Sequence, residues 1–378
     1  MRLEPAVAPD ALAAIRAPFA AAGANPVDVP VIQPLSLLLD LAGEAMRARL
    51  FVVQGEGMSE AALRPDFTIP VARAHIEAGV ASGRYLYEGK AFRVAPRGSG
   101  RAEEFLQLGV EAFETGDKAT ADAEIAALAW RAAVAGGRSD LSLRLGDVSL
   151  FAAFVDSLGL EPATAARLKR AFSRPRILWA ELDQASKGGA SPAPASRLPT
   201  LLAGLPEAEA AAALQELWTL AGIEPVGGRA PAEIVHRLVE KARAAEAPGL
   251  TEAQADPIRR FLAVSGPPAE ALAAVAALAG SAHSALDTAL SGWKRRLEAL
   301  TQGGVPTDRM TLATAFGRSF GYYDGVLFEV RSETLGEDRP VAAGGRYDGL
   351  LPRLGGKGAS GAVGCMVRPA RAVAGGVE

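Results

Sequence analysis

Residues Phe105–Phe113 carry the polar side chains best placed to bind a small ligand. Alternation predicts a strand with Gln107 and Glu111 on one face, about 13 Å apart at roughly 3.3 Å per residue, and Gly109 between them. The opposite face is apolar and is expected to cover a core, since it carries Leu106, Leu108, Val110 and Ala112. An amide and a carboxylate flanking a glycine suit a small ligand with N–H donors or an ammonium group. The alternative is a sheet face in water, where both side chains are merely solvated.

Two further segments hold polar residues of a type that binds ligands, and each has a simpler interpretation. The glycine-rich loop 96–101 contains two arginines that could wrap a phosphate or carboxylate, although such loops are more often solvated turns. Asp66 and Thr68 precede an apolar segment that starts at Ile69. Both are good helix N-cap residues, and capping is the simpler explanation of their positions.

The composition of the 378-residue chain argues against several classes of function. Its 40 basic and 43 acidic residues nearly balance, so no overall positive field attracts nucleic acid. Three scattered histidines and one cysteine, Cys365, allow neither an internal disulfide nor a cluster of metal ligands, and no cofactor is indicated. We interpret Cys365 as a buried packing residue. With no membrane-spanning run and no leader pattern, we expect a cytoplasmic protein.

The order of the predicted elements indicates an α+β fold. Strands lie on both sides of a long helical segment, with short spacings between them, which favours an antiparallel sheet flanked by helices. Strands are expected near 51–53, 62–64, 84–94, 105–113, 141–145, 309–315, 321–330 and 362–366, with a glycine-bracketed turn at 342–350. Helices outside the long helical segment are expected within 1–24, at 35–42, from 69 onward and at 118–135.

The composition shifts to alanine and leucine after Gly146. We interpret residues 148–300 as a helical insertion into a core made of residues 1–147 and 301–378. Its helices are predicted near 148–158, 163–172, 206–221, 231–246, 251–264, 268–279 and 283–300. Residues 186–199 are small and proline-containing, which is typical of an exposed loop.

Several of these segments resemble the signature motifs of class II aminoacyl-tRNA synthetases, in the form found in histidyl-tRNA synthetases. Phe92-Arg93, the loop after it and Gln107-Leu-Gly-Val-Glu111 are similar to the second motif of that class. Four other segments look like three histidine-site segments and a degraded third motif, in the family's order: Ala62–Thr68, Arg318–Tyr323, Ala343–Leu350 and Ala362–Arg371. The resemblance covers about residues 25–147 and 309–372 and implies a class II synthetase-like antiparallel sheet flanked by helices.

The resemblance implies that nine residues of this chain bind histidine. Glu111 and Tyr323 would contact the ring nitrogens, and Arg318 would bind the carboxylate. The other roles fall to six residues: the α-ammonium group to Asp66, Thr68 and Gln107, the pocket wall to Tyr322 and Tyr347, and an anion contact to Arg93. The structural alternatives are a surface carboxylate for Glu111, an ion-pair partner for Arg318, and helix caps for Asp66 and Thr68.

The departures from the synthetase pattern concern the part that would handle ATP. Ala95 stands where a synthetase has an acid that engages the adenine ring, Ala370 where it usually has a glutamate, and Gly321 where it has an aspartate. The chain ends seven residues past Arg371, so no anticodon-binding domain is expected. A sequence of this kind resembles the regulatory subunits of ATP phosphoribosyltransferase, synthetase-like proteins that act in the first step of histidine biosynthesis.

That second resemblance implies a histidine sensor without catalysis of its own. It would assemble with the short-form catalytic subunit of ATP phosphoribosyltransferase and control it allosterically. It would also form a homodimer, paired through residues near 27–38, within a larger hetero-oligomer. The alternatives are a minimal histidyl-tRNA synthetase-like core that adenylates histidine, and a scaffold whose pocket is vestigial.

Overall fold

The computed structural model of the chain describes residues 2–55, 60–114, 116–186, 201–202, 204–220, 235, 249–279, 283–317, 321–356 and 361–376. The fold has two compact units, of which the first combines Met1–Leu150 with Ala263–Glu378 and the second is Phe151–Leu262. The second unit is shorter than the predicted insertion 148–300. None of the described helices is long and apolar enough to cross a membrane.

The first unit is built on a large mixed sheet, in which the described residues form nine strands. In chain order these strands are β1 (Asn25–Pro26), β5 (Gly83–Phe92), β6 (Glu104–Glu114), β7 (Leu141–Asp147), β8 (Ser265–Gly266), β9 (Met310–Ala313), β10 (Val326–Ser332), β11 (Ala342–Arg346) and β12 (Gly361–Val367). Their order across the sheet is β1-β5-β6-β12-β11-β10-β7-β9-β8. Only the pairs β1–β5 and β7–β9 are parallel among these described strands. A small second sheet has the order β2 (Ile32–Pro34), β4 (Ala61–Leu63), β3 (Val52–Val53).

Helices flank the sheet of the first unit and make up the described part of the second unit. The first unit contains α1 (Pro9–Ala21), α2 (Leu35–Ala42), α3 (Thr68–Ala78), α4 (Lys118–Ala135), α10 (Pro268–Leu278), α11 (Ser284–Gln302), α12 (Leu350–Arg353) and α13 (Pro369–Ala372), with 3-10 turns at Glu44–Arg49 and Thr307–Arg309. The remaining described helices are α5 (Val148–Ser157), α6 (Pro162–Phe172), α7 (Pro175–Ala185), α8 (Glu207–Leu220) and α9 (Glu252–Ala263). The predicted α+β class, with a largely antiparallel sheet flanked by helices, is confirmed.

The second unit has an aromatic core of its own. Phe151 stacks on Phe172 with ring centroids 4.3 Å apart, and Phe154 stacks on Phe261 at 4.5 Å. Proline begins α6 and α7, where the missing N–H costs no helical hydrogen bond. The predicted helix 231–246, apart from residue 235, and the predicted loop 186–199, apart from Ser186, lie outside the described residues.

Helix α11 is part of the first unit because buried polar contacts hold it there. Trp293 is fully buried and donates Nε1–H to Asp147 at the end of β7, over 2.8 Å. Arg296 donates to Asp122 on α4, also over 2.8 Å, and Asp122 accepts a second hydrogen bond from Arg346 on β11. The segment 284–300, which the sequence pattern assigned to the insertion, therefore packs against α4 and the end of β7 in the first unit.

The segment 342–350 is not the turn that its glycines predicted. Its first half is β11, a strand inside the sheet between β10 and β12. A Cβ on Gly344 would lie 2.2 Å from the carbonyl oxygen of Gly364 and 2.4 Å from the ring of Phe328. These glycines serve close packing, which a strand also uses. The predicted strand 321–330 begins later than expected, at Val326.

Candidate functional site

A cleft opens over the part of the sheet formed by β5, β6, β11 and β12, with about 310 Å³ of space free of protein atoms, part of it continuous with solvent. Its lining residues are Asp66, Thr68, Tyr87, Arg93, Gln107, Glu111, Tyr322, Tyr323, Ala343, Gly364, Cys365 and Met366. Seven of the nine residues predicted from the sequence are among them. Of the other two, Tyr347 lies behind the lining, where its hydroxyl donates to Glu111, and Arg318 lies outside the described residues.

Glu111 is the most deeply buried acid of the cleft, with 1% of its surface exposed. Its Oε1 accepts from the Thr68 hydroxyl over 2.7 Å, and its Oε2 accepts from the Tyr347 hydroxyl. Burial raises the pKa of Glu111 to about 8, although these two hydrogen bonds act in the opposite direction. Gly364 faces Glu111 across the β6–β12 pair, and a Cβ there would lie 1.6 Å from Oε2. The glycine makes room for the carboxylate.

Gln107 is fully buried on the same face of β6. Neither its amide nitrogen nor its amide oxygen has a hydrogen-bond partner among the described residues. Leaving a buried polar group unsatisfied costs about 1–3 kcal/mol, so such groups usually serve a ligand or a function. The alternative of a solvated sheet face is wrong for both Gln107 and Glu111.

Asp66 and Thr68 do not cap the helix that follows them. The N-cap residue of α3 is Phe67, and no side chain caps it. Thr68 donates its hydroxyl hydrogen to Glu111, and Asp66 accepts from the Tyr322 hydroxyl over 3.3 Å. Both residues are at least nine-tenths buried. The helix-cap interpretation is therefore wrong, and both side chains point to the cleft.

Arg93 is the one cation among the described lining residues. Its Nε donates to the carbonyl oxygen of Pro65 over 2.7 Å, and its guanidinium carbon lies 5.3 Å from the ring centroid of Phe105. Desolvation lowers the pKa of Arg93 to about 10, and the nearby arginines act in the same direction. The side chain still carries its charge at neutral pH, so it can bind an anion.

Three tyrosine rings form a wall beside the two acids. The ring centroids of Tyr322 and Tyr323 are 4.7 Å apart, and that of Tyr347 lies 5.9 Å and 6.2 Å from them. Burial raises the pKa values of Tyr322 and Tyr347 well above the ordinary range, so both hydroxyls stay neutral. The wall combines an apolar surface with hydroxyl groups, which suits a flat polar ring.

The cation of the cleft and its most deeply buried acid are separated along β6. Arg93 lies at the end near Phe105, Glu111 lies at the other end, and Gln107 lies between them. Cys365 is the one thiol of the lining, and burial raises its pKa, so it is not a thiolate. Within the described ranges, no three His, Cys, Asp or Glu side chains are grouped as metal ligands. The arrangement is suited to binding a small zwitterion.

Tyr87 and the residues of β12 were missed in the sequence. Gly109 was interpreted as room for a ligand, but a Cβ there would lie 2.5 Å from the Tyr87 hydroxyl oxygen and 2.1 Å from the carbonyl oxygen of Cys365. The glycine accommodates these two atoms instead. A tyrosine opposite a glycine on neighbouring strands is the signal that could have found it, once the register Tyr87–Gly109 is known.

The arginine loop 96–101 does not line the cleft. Arg97 is exposed, and Arg101 forms an ion pair with Asp338 with a separation of 3.1 Å. The solvated-turn interpretation of this loop therefore agrees with its surroundings.

Comparison with known sequences identifies the family to which this chain belongs. The family described as "Histidyl-tRNA synthetase" matches residues 6–226 and 230–371. The chain is 40% identical over 365 residues, covering 94% of its length and 95% of the relative's, to the ATP phosphoribosyltransferase regulatory subunit of Allorhizobium ampelinum. It is 38% identical to that of Agrobacterium fabrum, over 89% of each chain. The chain belongs to the family of ATP phosphoribosyltransferase regulatory subunits, a branch of the histidyl-tRNA synthetase-like proteins.

Solved structures agree with this assignment at the level of the fold. A Bacillus halodurans protein titled "ATP phosphoribosyltransferase regulatory subunit/histidyl-tRNA synthetase" superimposes with a TM-score of 0.66 at 20% identity, covering 97% of this chain and 78% of that one. The histidyl-tRNA synthetase of a Nostoc species gives 0.58 at 17% identity, covering 96% and 69%.

Proposed function

We propose that this chain is a non-catalytic regulatory subunit of ATP phosphoribosyltransferase that binds histidine and thereby controls a short-form catalytic partner. The names of its relatives support the regulatory role. The observation that supports a ligand in the cleft is the fully buried Gln107, whose amide has no partner among the described residues. Such an amide beside a buried carboxylate needs a molecule that brings both donors and acceptors.

Histidine matches the groups that the cleft presents. Its ring N–H would donate to Glu111, and its ammonium group would lie near Asp66, Thr68 and Gln107. Its carboxylate would be bound by Arg318, with Arg93 as a further anion contact. The tyrosine wall would pack on the imidazole ring. Every charged group of the ligand would then have an opposite charge or a dipole to contact.

Glu111 offers a route for coupling histidine to the rest of the fold. Its two oxygens accept from Thr68, the first residue of α3, and from Tyr347, which follows β11. A ligand N–H that takes one of these acceptor positions must displace or bend a hydroxyl. Occupancy would then shift the balance between two arrangements of α3 and the segment after β11, which is what an allosteric effect requires.

The proposed absence of catalysis is supported by the arginine that aligns with the third synthetase motif. Arg371 is 5% exposed, and its Nη1 donates to the carbonyl oxygen of Pro340 over 3.1 Å. Ala95 and Ala370 provide no carboxylates for a metal-bound nucleotide. Histidine-dependent exchange of pyrophosphate into ATP tests this directly. We expect no exchange, and exchange above background would favour the adenylating synthetase core.

The regulatory role is tested by measuring phosphoribosyl transfer by the short catalytic subunit, with and without this chain and with histidine. We expect this chain to change the rate and histidine to change it further. Glu111→Ala should remove the histidine effect while the complex stays assembled by light scattering. Glu104→Ala is the matched control, since Glu104 lies on the same strand outside the cleft and its carboxylate is 3.7 Å from Lys90. A histidine effect that survives in Glu111→Ala would contradict the proposal.

A further inference from the structure

Tyr87 forms the floor of the cleft and is held from three sides. It lies on β5, 2% exposed, and its ring stacks on Phe67 with centroids 4.5 Å apart and planes 8° from parallel. Across the strand pair it faces Gly109. Its hydroxyl is hydrogen-bonded to the backbone of β12 at Cys365. A side chain fixed in this way loses little freedom when a ligand arrives.

The polarity of the Tyr87 hydroxyl is set by its partner. A carbonyl oxygen can only accept, so the single hydroxyl hydrogen is donated to Cys365 over 3.1 Å. Burial raises the pKa of Tyr87 well above its ordinary range, so this hydrogen is retained at neutral pH. The oxygen can therefore offer the cleft only its lone pairs, as an acceptor.

The position of that oxygen is fixed by Gly109. A Cβ at residue 109 would lie only 2.5 Å from the Tyr87 hydroxyl oxygen. The oxygen therefore occupies space that the side chain of any residue other than glycine would need. Gln107 and Glu111 flank Gly109 on the same face of β6 and also line the cleft. The hydroxyl oxygen thus lies in one row with the amide and the carboxylate that the proposed ligand would contact.

From this geometry we propose that Tyr87 is a ligand-binding residue whose hydroxyl oxygen accepts an N–H hydrogen bond from the bound amino acid. This inference rests on the proposed function, because it requires histidine in the cleft. The Tyr87 oxygen would be an acceptor between Gln107 and Glu111. The N–H groups of the ligand would then contact a neutral oxygen as well as the carboxyl group of Glu111.

Calorimetric titration of histidine into wild type, Tyr87→Phe and Tyr85→Phe tests the proposal. Tyr87→Phe keeps the ring and its stacking and removes only the acceptor, so we expect affinity to fall about fivefold to tenfold, as for one net hydrogen bond. Tyr85→Phe is the matched control, because Tyr85 lies two residues earlier on the same strand, outside the cleft, and its hydroxyl contacts His75 at 3.0 Å. Its affinity should stay within about twofold of wild type.

Thermal melts of all three proteins, without ligand, show whether a change in affinity reflects folding, and titrations at 10 °C keep a destabilised variant folded. A deaminated analogue, imidazole propionate, identifies the donor. If the ammonium group donates, wild type and Tyr87→Phe bind the analogue equally, and if the ring donates, the difference persists. Equal affinity of wild type and Tyr87→Phe for histidine would overturn the inference alone. No binding of histidine to wild type would instead overturn the proposed function.

Discussion

Glu111 shows how a few neighbours give one carboxyl group an unusual property. It is buried under the tyrosine wall, accepts two hydroxyl hydrogens, and lies over a glycine of the neighbouring strand. Desolvation raises its pKa from an ordinary 4.5 to about 8, with Asp66 adding to the effect. At neutral pH the protein therefore holds much of this group in the protonated form, and an N–H donor that favours the carboxylate would release the proton.

The pH dependence of stability should reveal this proton. Because the folded pKa lies above the unfolded one, the folded state binds more protons between about pH 4.5 and 8, and its stability falls as pH rises through that range. Glu111→Gln removes this contribution. We expect the melting temperature of wild type, relative to Glu111→Gln, to be higher at pH 5 than at pH 8. A difference between the two proteins that does not vary with pH would contradict the assignment.

Much of the site could be predicted at the level of single residues. Alternation along residues 105–113 sufficed to place Gln107 and Glu111 on one face, because a strand has a period of two. Tyr87 could not be found in this way. Its place depends on the register between β5 and β6, which aligns Tyr87 with Gly109 and which no local pattern specifies.

At the scale of elements, the first residues of the chain are hydrogen-bonded to β6 and to Arg368, the residue that follows β12. Glu4 is buried, accepts from Nε of Arg368 over 3.1 Å and accepts from the backbone N–H of Leu106 over 2.8 Å. The guanidinium of Arg368 lies 3.8 Å from the Phe105 ring, which Arg93 also contacts. The N-terminal segment thus helps to hold the cationic end of the cleft.

Breaking this buried ion pair should be costly. Glu4→Ala leaves the Arg368 charge buried without its carboxylate, and we expect the free energy of unfolding to fall by about 3 kcal/mol. Glu88→Ala is the control, because Glu88 pairs with Arg16 where both side chains are partly exposed, and its loss should cost less than about 1 kcal/mol. Urea unfolding curves measure both values. Equal losses for the two variants would show that Glu4 is not a structural anchor.

Element bounds could be predicted where local signals are strong. The predicted bounds of helix α4 match the observed ones, and its N-cap residue Asp117 accepts a hydrogen bond from the Thr120 N–H. Helix α2 stops just before Gly43, as predicted, and the φ of 92° at that residue favours glycine. Strand β11 was mistaken for a turn because paired glycines are typical of turns. Only the packing of Phe328 and β12 against it explains why glycine is needed there.

At the scale of the whole molecule, we propose a homodimer that pairs through residues 27–38. Apolar side chains are exposed at the start of β2, where Ile32 is 48% exposed, and just before it, where Val31 is 40% exposed. Ile32→Glu should therefore shift the protein from dimer to monomer, measured by light scattering, because a buried unpaired charge opposes the interface. Ile177→Glu is the control, since Ile177 is equally exposed but lies on α7 in the second unit. An unchanged dimer in Ile32→Glu would place the interface elsewhere.

The central claim is that the cleft binds histidine, and calorimetric titration of the purified chain with free histidine tests it most directly. The account predicts saturable binding with one site per chain, which Glu111→Ala abolishes and Glu104→Ala leaves intact. Absence of saturable heat at millimolar histidine, in a chain that melts cooperatively, would contradict the account.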